Sequence, residues 1–288
     1  MSNKIRKEFI EDLGTGGIAD EYTRVVTTPA ELLSALTGTE RNLLITKNIA
    51  LTADITLPNN AVLKYGGGII NANGFDVKFA NNELTDCKFN FFTGTINDTS
   101  TFKNVVAIKM ENFGLVGDGN ITTNSGSDNR NLLLQLQKIA HKTGCDLEIH
   151  KEGNYLYSLV ESAANGNSTP TNFYVTGSTN IFLGKKVVFG ALTNANYKYK
   201  IIEFYESKHA KIYGQGEVVG DLRTHDFSGT TSEGCFGVTT GQKCDNVIIE
   251  VNIRECPGDC FISTHSPNFY YLNDLKTKRV STVQNRVN

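Results

Sequence analysis

Hydrophobic positions change their spacing several times along the chain. Over 28–36 they fall at helical intervals: Thr28-Pro29-Ala30-Glu31 reads as a capping box with proline at the first helical position, and Leu32, Leu33 and Leu36 follow on one face. Short apolar runs at 43–45, 49–51, 55–57, 61–65 and 66–70 then alternate with Asn, Gly and Pro. Such runs, with no second helix between them, predict coils of a β-helix or a small sandwich rather than βαβ units. A second short β segment covers 75–101. The helical interval returns at Leu132, Leu133, Leu136, Ile139 and Ala140, a stripe opened by Ser127 or Asp128 as N-cap and stopped by Gly144. Beyond Gly144 the period becomes two, with Leu147 and Ile149 alternating against Glu148 and His150. Gly153-Asn154 then turns the chain into Tyr155-Leu156-Tyr157.

After a Ser/Asn/Gly-rich stretch at 161–171, similar units recur: Asn180-Ile181-Phe182-Leu183-Gly184, His209-Ala210-Lys211-Ile212-Tyr213-Gly214, Asn246-Val247-Ile248-Ile249-Glu250 and Asn268-Phe269-Tyr270-Tyr271-Leu272. Counted from Ile181 to Ala210, Val247 and Phe269, the steps are about 29, 37 and 22 residues, so loops are inserted within the longer ones. If successive units stack their strands in parallel, alternate residues fill a continuous interior, and Ala210, Ile212, Val247, Ile249, Val251 and Ile253 point inward.

The segment 112–157 carries a family resemblance. Its order is Phe113-Gly114-Leu115-Val116-Gly117-Asp118-Gly119, a polar loop, one helix of about four turns, a short strand and Gly153-Asn154-Tyr155. This resembles the opening module of the pectate-lyase-like right-handed parallel β-helices, in particular that of bacteriophage tail spikes and tail fibres. In that family an Asp-Asp-Thr usually precedes the helix; the matching stretch here, 121–128, lacks the acidic pair. Gly258-Asp259-Cys260-Phe261-Ile262-Ser263 is similar to the Gly-Asp-Asp-Cys-Ile-Ser strand of polygalacturonase-type glycosidases with one aspartate missing, and that family's downstream Gly-His-Gly and Arg-Ile-Lys motifs are absent. Hydrolysis there needs carboxylates on both sides of the glycosidic bond, so the loss bears on activity. The resemblance implies an all-β fold, a right-handed parallel β-helix with short capping helices. It divides the chain into a leader at 1–23, an N-terminal helix plus short β module at 24–104, the opening module with its capping helix at 105–157, and coils over 158–288.

Composition suits such a scaffold: 288 residues at 39% apolar bury a sizeable core, as one elongated domain or two short ones, and 27 Gly against 5 Pro and no Trp fit many short strands and tight turns. A net charge of -2 gives no basic footprint for nucleic acid. Neither a signal-peptide apolar run nor a membrane span is present, so membrane insertion is not expected. The 6 cysteines, at 87, 145, 235, 244, 256 and 260, lack zinc spacing and are expected to be reduced, mostly core thiols, the alternative being an oxidised pair stacked on successive coils. No metal or cofactor is called for.

Candidate chemistry lies near the coils. Asp221, Asp226 and Asp259 are the candidate catalytic acids, and Tyr213, Arg223 and His225 the candidate substrate-binding residues, with Asp221 to Asp226 in the loop inserted between two coils. The alternative for the acids is that Asp221 and Asp226 are solvated turn residues and Asp259 caps a turn; His209, His225 and His265 read as surface residues. Tyr197, Tyr199, Tyr205, Tyr213, Tyr270 and Tyr271 are the aromatics available to stack on sugar rings. The resemblance implies a phage or prophage tail appendage, made in the host cytoplasm and working outside the cell on the virion tail. Its partners would be a host surface polysaccharide and phage tail or baseplate proteins. The alternative is a polysaccharide-degrading glycoside hydrolase or lyase acting in the same groove. After residue 275 no cap for the last coil is evident, so further chain or another subunit is expected to cover it, and a homotrimer is the expected assembly.

Overall fold

The computed structural model describes residues 23–36, 42–59, 61–85, 92–94, 96–97, 99–102, 105–160, 172–228, 234–241, 243–263 and 269–271. Among them 46% are strand and 12% helix, and strand pairs with strand in parallel throughout. Parallel neighbours cannot be joined by a tight hairpin, so the chain must travel away and return before each new pairing. In the N-terminal part Thr23 lies opposite Asn42, Asn42 opposite Val62 and Val62 opposite Glu83, a return of roughly 20 residues. Two further ladders keep the same interval: Ile49–Ala50, Ile70–Asn71 and Phe92–Thr93 form one, and Ile55–Thr56 with Val77–Lys78 the other, extended by a bridge from Val77 to Ile96. The inward residues Leu43, Leu63, Ile49, Ile70, Phe92, Ile55, Val77 and Ile96 are all buried.

The C-terminal part repeats the principle with longer returns. Leu147 lies opposite Ile181, Ile181 opposite Ile212, Ile212 opposite Ile249 and Val247 opposite Phe269. The step of 37 from Ala210 to Val247 and that of 22 to Phe269 agree with the sequence reading, whereas Ile181 pairs with Ile212 rather than Ala210. That slip is two residues, which leaves the same side chains inward because the strand period is two; Ala210, Ile212, Val247, Ile249, Val251 and Ile253 are indeed buried. A second row, Gly153–Tyr157 and Val187–Ala191, joins the same eight-stranded sheet because Lys211–Val219 and Val247–Arg254 run through both rows. The sheet curls into half a barrel. The pairing register of Lys211–Val219 shifts between Tyr213 and Glu217, a stretch that holds Gly214, with φ of 123°, where an added Cβ would sit 2.0 Å from the Leu183 carbonyl oxygen. Phe173–Gly177, Lys198–Ser207, Gly234–Thr240 and Phe261–Ser263 form a separate four-stranded sheet. One apolar cluster runs without interruption from Val26 to Phe261.

Helix α1, Pro29–Leu36, opens as a capping box shifted by one residue. Thr28 Oγ1 accepts from the Glu31 amide at 3.1 Å, but Glu31 reaches back to the Thr27 amide at 2.7 Å instead of to Thr28. Leu32 and Ala35 are buried while Leu33 is exposed, so the predicted face is rotated. Helix α2, Arg130–Thr143, buries Leu133, Leu136, Ile139 and Ala140 as predicted and ends on a left-handed Gly144. Its N-cap is Asn129, not Ser127 or Asp128. The Asn129 side chain is spent elsewhere: its Oδ1 accepts from the Val116 amide at 2.8 Å, and its Nδ2 donates to the Val116 and Leu156 carbonyls, each at 2.9 Å. Asp128 Oδ1 instead accepts from the Arg130 amide at 3.0 Å.

α2 sits where the two stacks meet and satisfies strand edges on both sides. Towards the N-terminal stack Gln135 Oε1 accepts from the Ile96 amide at 3.1 Å. Towards the C-terminal stack Gln137 Oε1 accepts from the Tyr174 amide at 2.8 Å and His141 Nε2 from the Thr176 amide at 3.3 Å. Phe173–Gly177 is the terminal strand of its sheet, so these amides would otherwise be an unpaired edge. Beneath the helix Phe113 closes an aromatic group with Phe79, Phe92 and Phe102, at centroid distances of 6.0, 6.2 and 5.9 Å. No helix among the described residues is long and apolar enough to cross a membrane.

The Gly-Asp-Gly and Gly-Asn-Tyr segments pack on each other. Asp118 bridges Asn154 in parallel, the Gly119 amide donates to the Asn154 carbonyl at 2.9 Å, and the Asn154 amide donates to the Gly117 carbonyl at 3.1 Å. A Cβ on Gly119 would lie 2.7 Å from both the Asn154 oxygen and Leu156 Cγ. Gly119→Ala should therefore destabilise the protein by about 1–3 kcal/mol through overpacking, seen as a lower urea midpoint with an unchanged slope; an unchanged midpoint would contradict this packing.

Burial, which disfavours the charged ring, lowers the His141 pKa to about 4, and the neutral ring accepts from the Thr176 amide. In the unfolded chain His titrates near 6.5, so between about pH 6.5 and pH 4 the unfolded state alone takes the proton and stability falls as pH falls. His141→Gln keeps an acceptor, as Gln137 does, without the titration. At about pH 4.5 the variant should gain on the order of 2 kcal/mol relative to its standing against wild type near pH 7. Urea unfolding across that window checks this, and parallel pH curves would contradict it.

Candidate functional site

The inserted loop leaves the strand Lys211–Val219 and lies between two coils. Its Leu222 amide donates to the Glu255 carbonyl at 2.9 Å, and its Asp226 amide to the Asn194 carbonyl at 3.2 Å, so both ends are fixed by neighbouring returns of the chain. Asp221 is fully buried. Its Oδ1 accepts from the Tyr199 hydroxyl at 2.6 Å; its Oδ2 accepts from the Asn194 amide at 3.1 Å and from Asn194 Nδ2 at 2.9 Å, and lies 3.0 Å from His225 Nδ1. These partners offset the cost of taking a carboxylate out of water. The arrangement makes Asp221 a positioning group for His225. The His225 ring is buried rather than at the surface, and Phe227 packs edge-on against it at 4.8 Å. Tyr199, expected among the sugar-stacking aromatics, is internal; burial first, and then the Asp221 charge, raise its phenol well above the ordinary value.

Asp226 and Arg223 point the other way, into solvent. Asp226 is exposed and accepts from the Ser228 amide at 2.9 Å; its hydrogen bonds with Ser228 hold the carboxyl below its usual range. Arg223 Nη2 donates to Glu255 Oε1 at 2.6 Å. Asp259 is half-buried on the turn into Phe261–Ser263, where its carbonyl accepts from the Gly237 amide at 3.1 Å. Asp221 and Asp226, five residues apart, thus present their carboxylates to opposite environments. His209 is exposed, and His265 and Cys87 lie outside the described residues, as do the stretches 1–22, 161–171 and 272–288. Tyr197 is exposed with Lys198 Nζ 5.0 Å from its ring centre. Tyr270 and Tyr271 lie on the strand Phe269–Tyr271.

Tyr213 belongs to a different feature, an outward strip along the eight-stranded sheet. Register places Lys109, Glu148, Phe182, Tyr213 and Glu250 side by side on successive strands. Their rings are half-exposed: His150 packs on Phe182 at 4.8 Å and Phe182 on Tyr213 at 5.2 Å, with Lys211 Nζ 4.8 Å from the Tyr213 ring centre. Polar groups frame them. Glu148 Oε2 lies 2.6 Å from His150 Nε2, Lys211 Nζ 2.5 Å from Glu250 Oε2, and Asp146 Oδ1 accepts from the Asn180 amide at 2.8 Å. Partial burial and the Glu148 and Asp146 charges raise the Tyr213 phenol above its ordinary value. Rings edged by carboxylates, amide and ammonium combine a stacking face with hydrogen-bond partners. Glu148, His150, Phe182, Lys211 and Glu250 were missed as site residues. The signal for two of them was present, since Phe182 and Glu250, like Tyr213, each follow an inward isoleucine in the repeats.

Among the described residues no group of three or more His, Cys, Asp or Glu is placed to hold a metal ion. No protein-family model, curated protein or solved structure matches the chain.

Asp221→Ala should cost on the order of 3 kcal/mol, because Tyr199, Asn194 and His225 lose a buried partner together, while Asp226→Ala should leave the urea midpoint unchanged. Equal midpoints for the two variants would contradict the positioning role of Asp221.

Proposed function

We propose that this chain is a phage or prophage tail appendage whose stacked strands form a right-handed parallel β-helix and whose outward strip binds a host surface polysaccharide. Three features support the reading. Parallel ladders with a regular return are what coils of a β-helix produce, and parallel crossovers are right-handed in nearly all proteins. The mutual packing of Gly117-Asp118-Gly119 with Gly153-Asn154-Tyr155 gives the family resemblance a physical basis. The observation that carries the ligand class is the Phe182–Tyr213 ring ladder framed by Glu148, Lys211 and Glu250, set on strands that need no rearrangement to present it. Homotrimeric assembly would set three such strips side by side and raise avidity.

Cleavage rather than binding is favoured by one observation. Asp146 and Glu148 lie two residues apart on one strand with the same half-buried standing, so both project from one face of the sheet and supply the pair of acids that glycosidic cleavage requires. Both readings meet in one experiment, titration of the protein with purified surface polysaccharide of the host, followed by intrinsic tyrosine fluorescence and by reducing-end release. Phe182→Ala and Tyr213→Ala should each weaken binding about tenfold with an unchanged circular dichroism spectrum. Undiminished binding by both variants would remove the strip from the account, and reducing ends released by wild type but not by Glu148→Gln would move the assignment to an enzyme.

A further inference from the structure

Register sets the outward residues of the eight-stranded sheet in two adjoining rows. One runs Glu148, Phe182, Tyr213, Glu250. The other, two residues earlier on each strand, begins Asp146, Asn180, Lys211, with the Asn180 side-chain amide donating to both Asp146 oxygens at 3.1 Å. At one end of this grid the protein supplies a cation of its own. Lys211 Nζ lies 4.8 Å from the Tyr213 ring centre and 2.5 Å from Glu250 Oε2, so one ammonium is held by a ring and a carboxylate together. At the other end the ring and the carboxylates recur without a cation. Phe182 is half-buried directly opposite Glu148, and Asp146 stands beside Glu148 on the same face. Among the described residues no lysine or arginine forms an ion pair with Asp146 or Glu148. Lys109, across from Glu148 in the register, is exposed and makes no such pair.

Resting on the reading of this strip as a glycan-binding face, we infer that the glycan it takes bears free amino groups: the ammonium of a non-acetylated amino sugar settles on the Phe182 ring against Glu148 and Asp146, as Lys211 settles on Tyr213 against Glu250. A cation gains there from both the negative face of a ring and nearby carboxylates. The local field has the matching sign, since after partial burial it is Glu148 and Asp146, ahead of the opposing Lys211, that shift the Tyr213 phenol upward. N-acetylation removes the charge at the atom that the site reads. A uronate or sulfate would bring an anion up to two carboxylates and lose by the same argument. The inference thus separates polysaccharides by charge, which ring stacking alone does not do.

The test is calorimetric titration of the full chain, slightly below neutral pH where the amino sugar and the carboxylates are all charged, with a glucosamine oligomer, its N-acetylated counterpart and a galacturonate oligomer of the same length. The expected result is binding of the glucosamine oligomer about tenfold tighter than of the acetylated one, a gap that narrows as salt is raised, and no binding of the galacturonate oligomer. Glu148→Gln and Asp146→Asn should each narrow the gap about threefold. Glu206→Gln removes an exposed carboxylate paired with Lys243 on the four-stranded sheet and should leave the gap unchanged. Equal binding of the free and acetylated oligomers, or tighter binding of the galacturonate, overturns the amino-sugar assignment and leaves the glycan reading standing. A loss in Glu206→Gln as large as that in Glu148→Gln overturns it too, because the attraction would then belong to the whole surface and not to the strip. If none of the three oligomers binds, the assignment falls, and the titration with host polysaccharide decides the glycan reading separately. The wild-type comparison of free and acetylated oligomer decides the matter even if Asp146→Asn does not fold.

Discussion

The structure depends on how a stack of parallel strands ends. Within the stack every strand finds a partner before and after it, but a terminal strand leaves amides with nothing to donate to, and leaving them unpaired near an apolar core is costly. Here one amphipathic helix closes two such edges. Leu133, Leu136, Ile139 and Ala140 bury it against the core, and Gln135, Gln137 and His141 accept from Ile96, Tyr174 and Thr176 on opposite sides. Side-chain acceptors take the place that the next strand's carbonyls would fill. With Phe113 seated among Phe79, Phe92 and Phe102, the same module joins two stacks of different return length into one core.

Rigidity at the surface follows from order inside. The loop at 221–228 would be a long free insertion if Asp221 did not bind Asn194, Tyr199 and His225 within the body of the stack. The outward strip needs no comparable anchoring, since its residues alternate with inward ones that the core already fixes. Lys211, Tyr213 and Glu250 stand on strands whose Ile212 and Ile249 are fully buried, so the rings are positioned by packing and a ligand would pay little to order them.

The repeating architecture was legible because burial imposes a period of two. Ala210, Val247 and Phe269 could be aligned from sequence, and even the misjudged step from Ile181 kept the correct residues inward. The ten-residue strand Lys198–Ser207 was harder to see, because Ile201 and Ile202 are both buried and break its alternation. Asn129 could not be recognised as the helix cap from spacing alone: its side chain bonds Val116 and Leu156, thirteen and twenty-seven residues away. His225 looked like a surface residue because a polar loop usually is one; only the folded chain brings Asp221 and Tyr199 round it. The ring ladder was half legible. Tyr213 stood out as an aromatic, but its neighbours become a site only when the register sets Glu148, Phe182 and Glu250 beside it.

Amide hydrogen exchange resolved by residue tests the edge-closing role of α2 most directly. If the helix side chains replace a missing strand, the amides of Ile96, Tyr174 and Thr176 should be protected to a degree comparable with Ile248, whose amide donates to the Ala210 carbonyl inside the stack. Exchange of those three amides at the rate of an open strand edge, while Ile248 stays protected, would contradict the account.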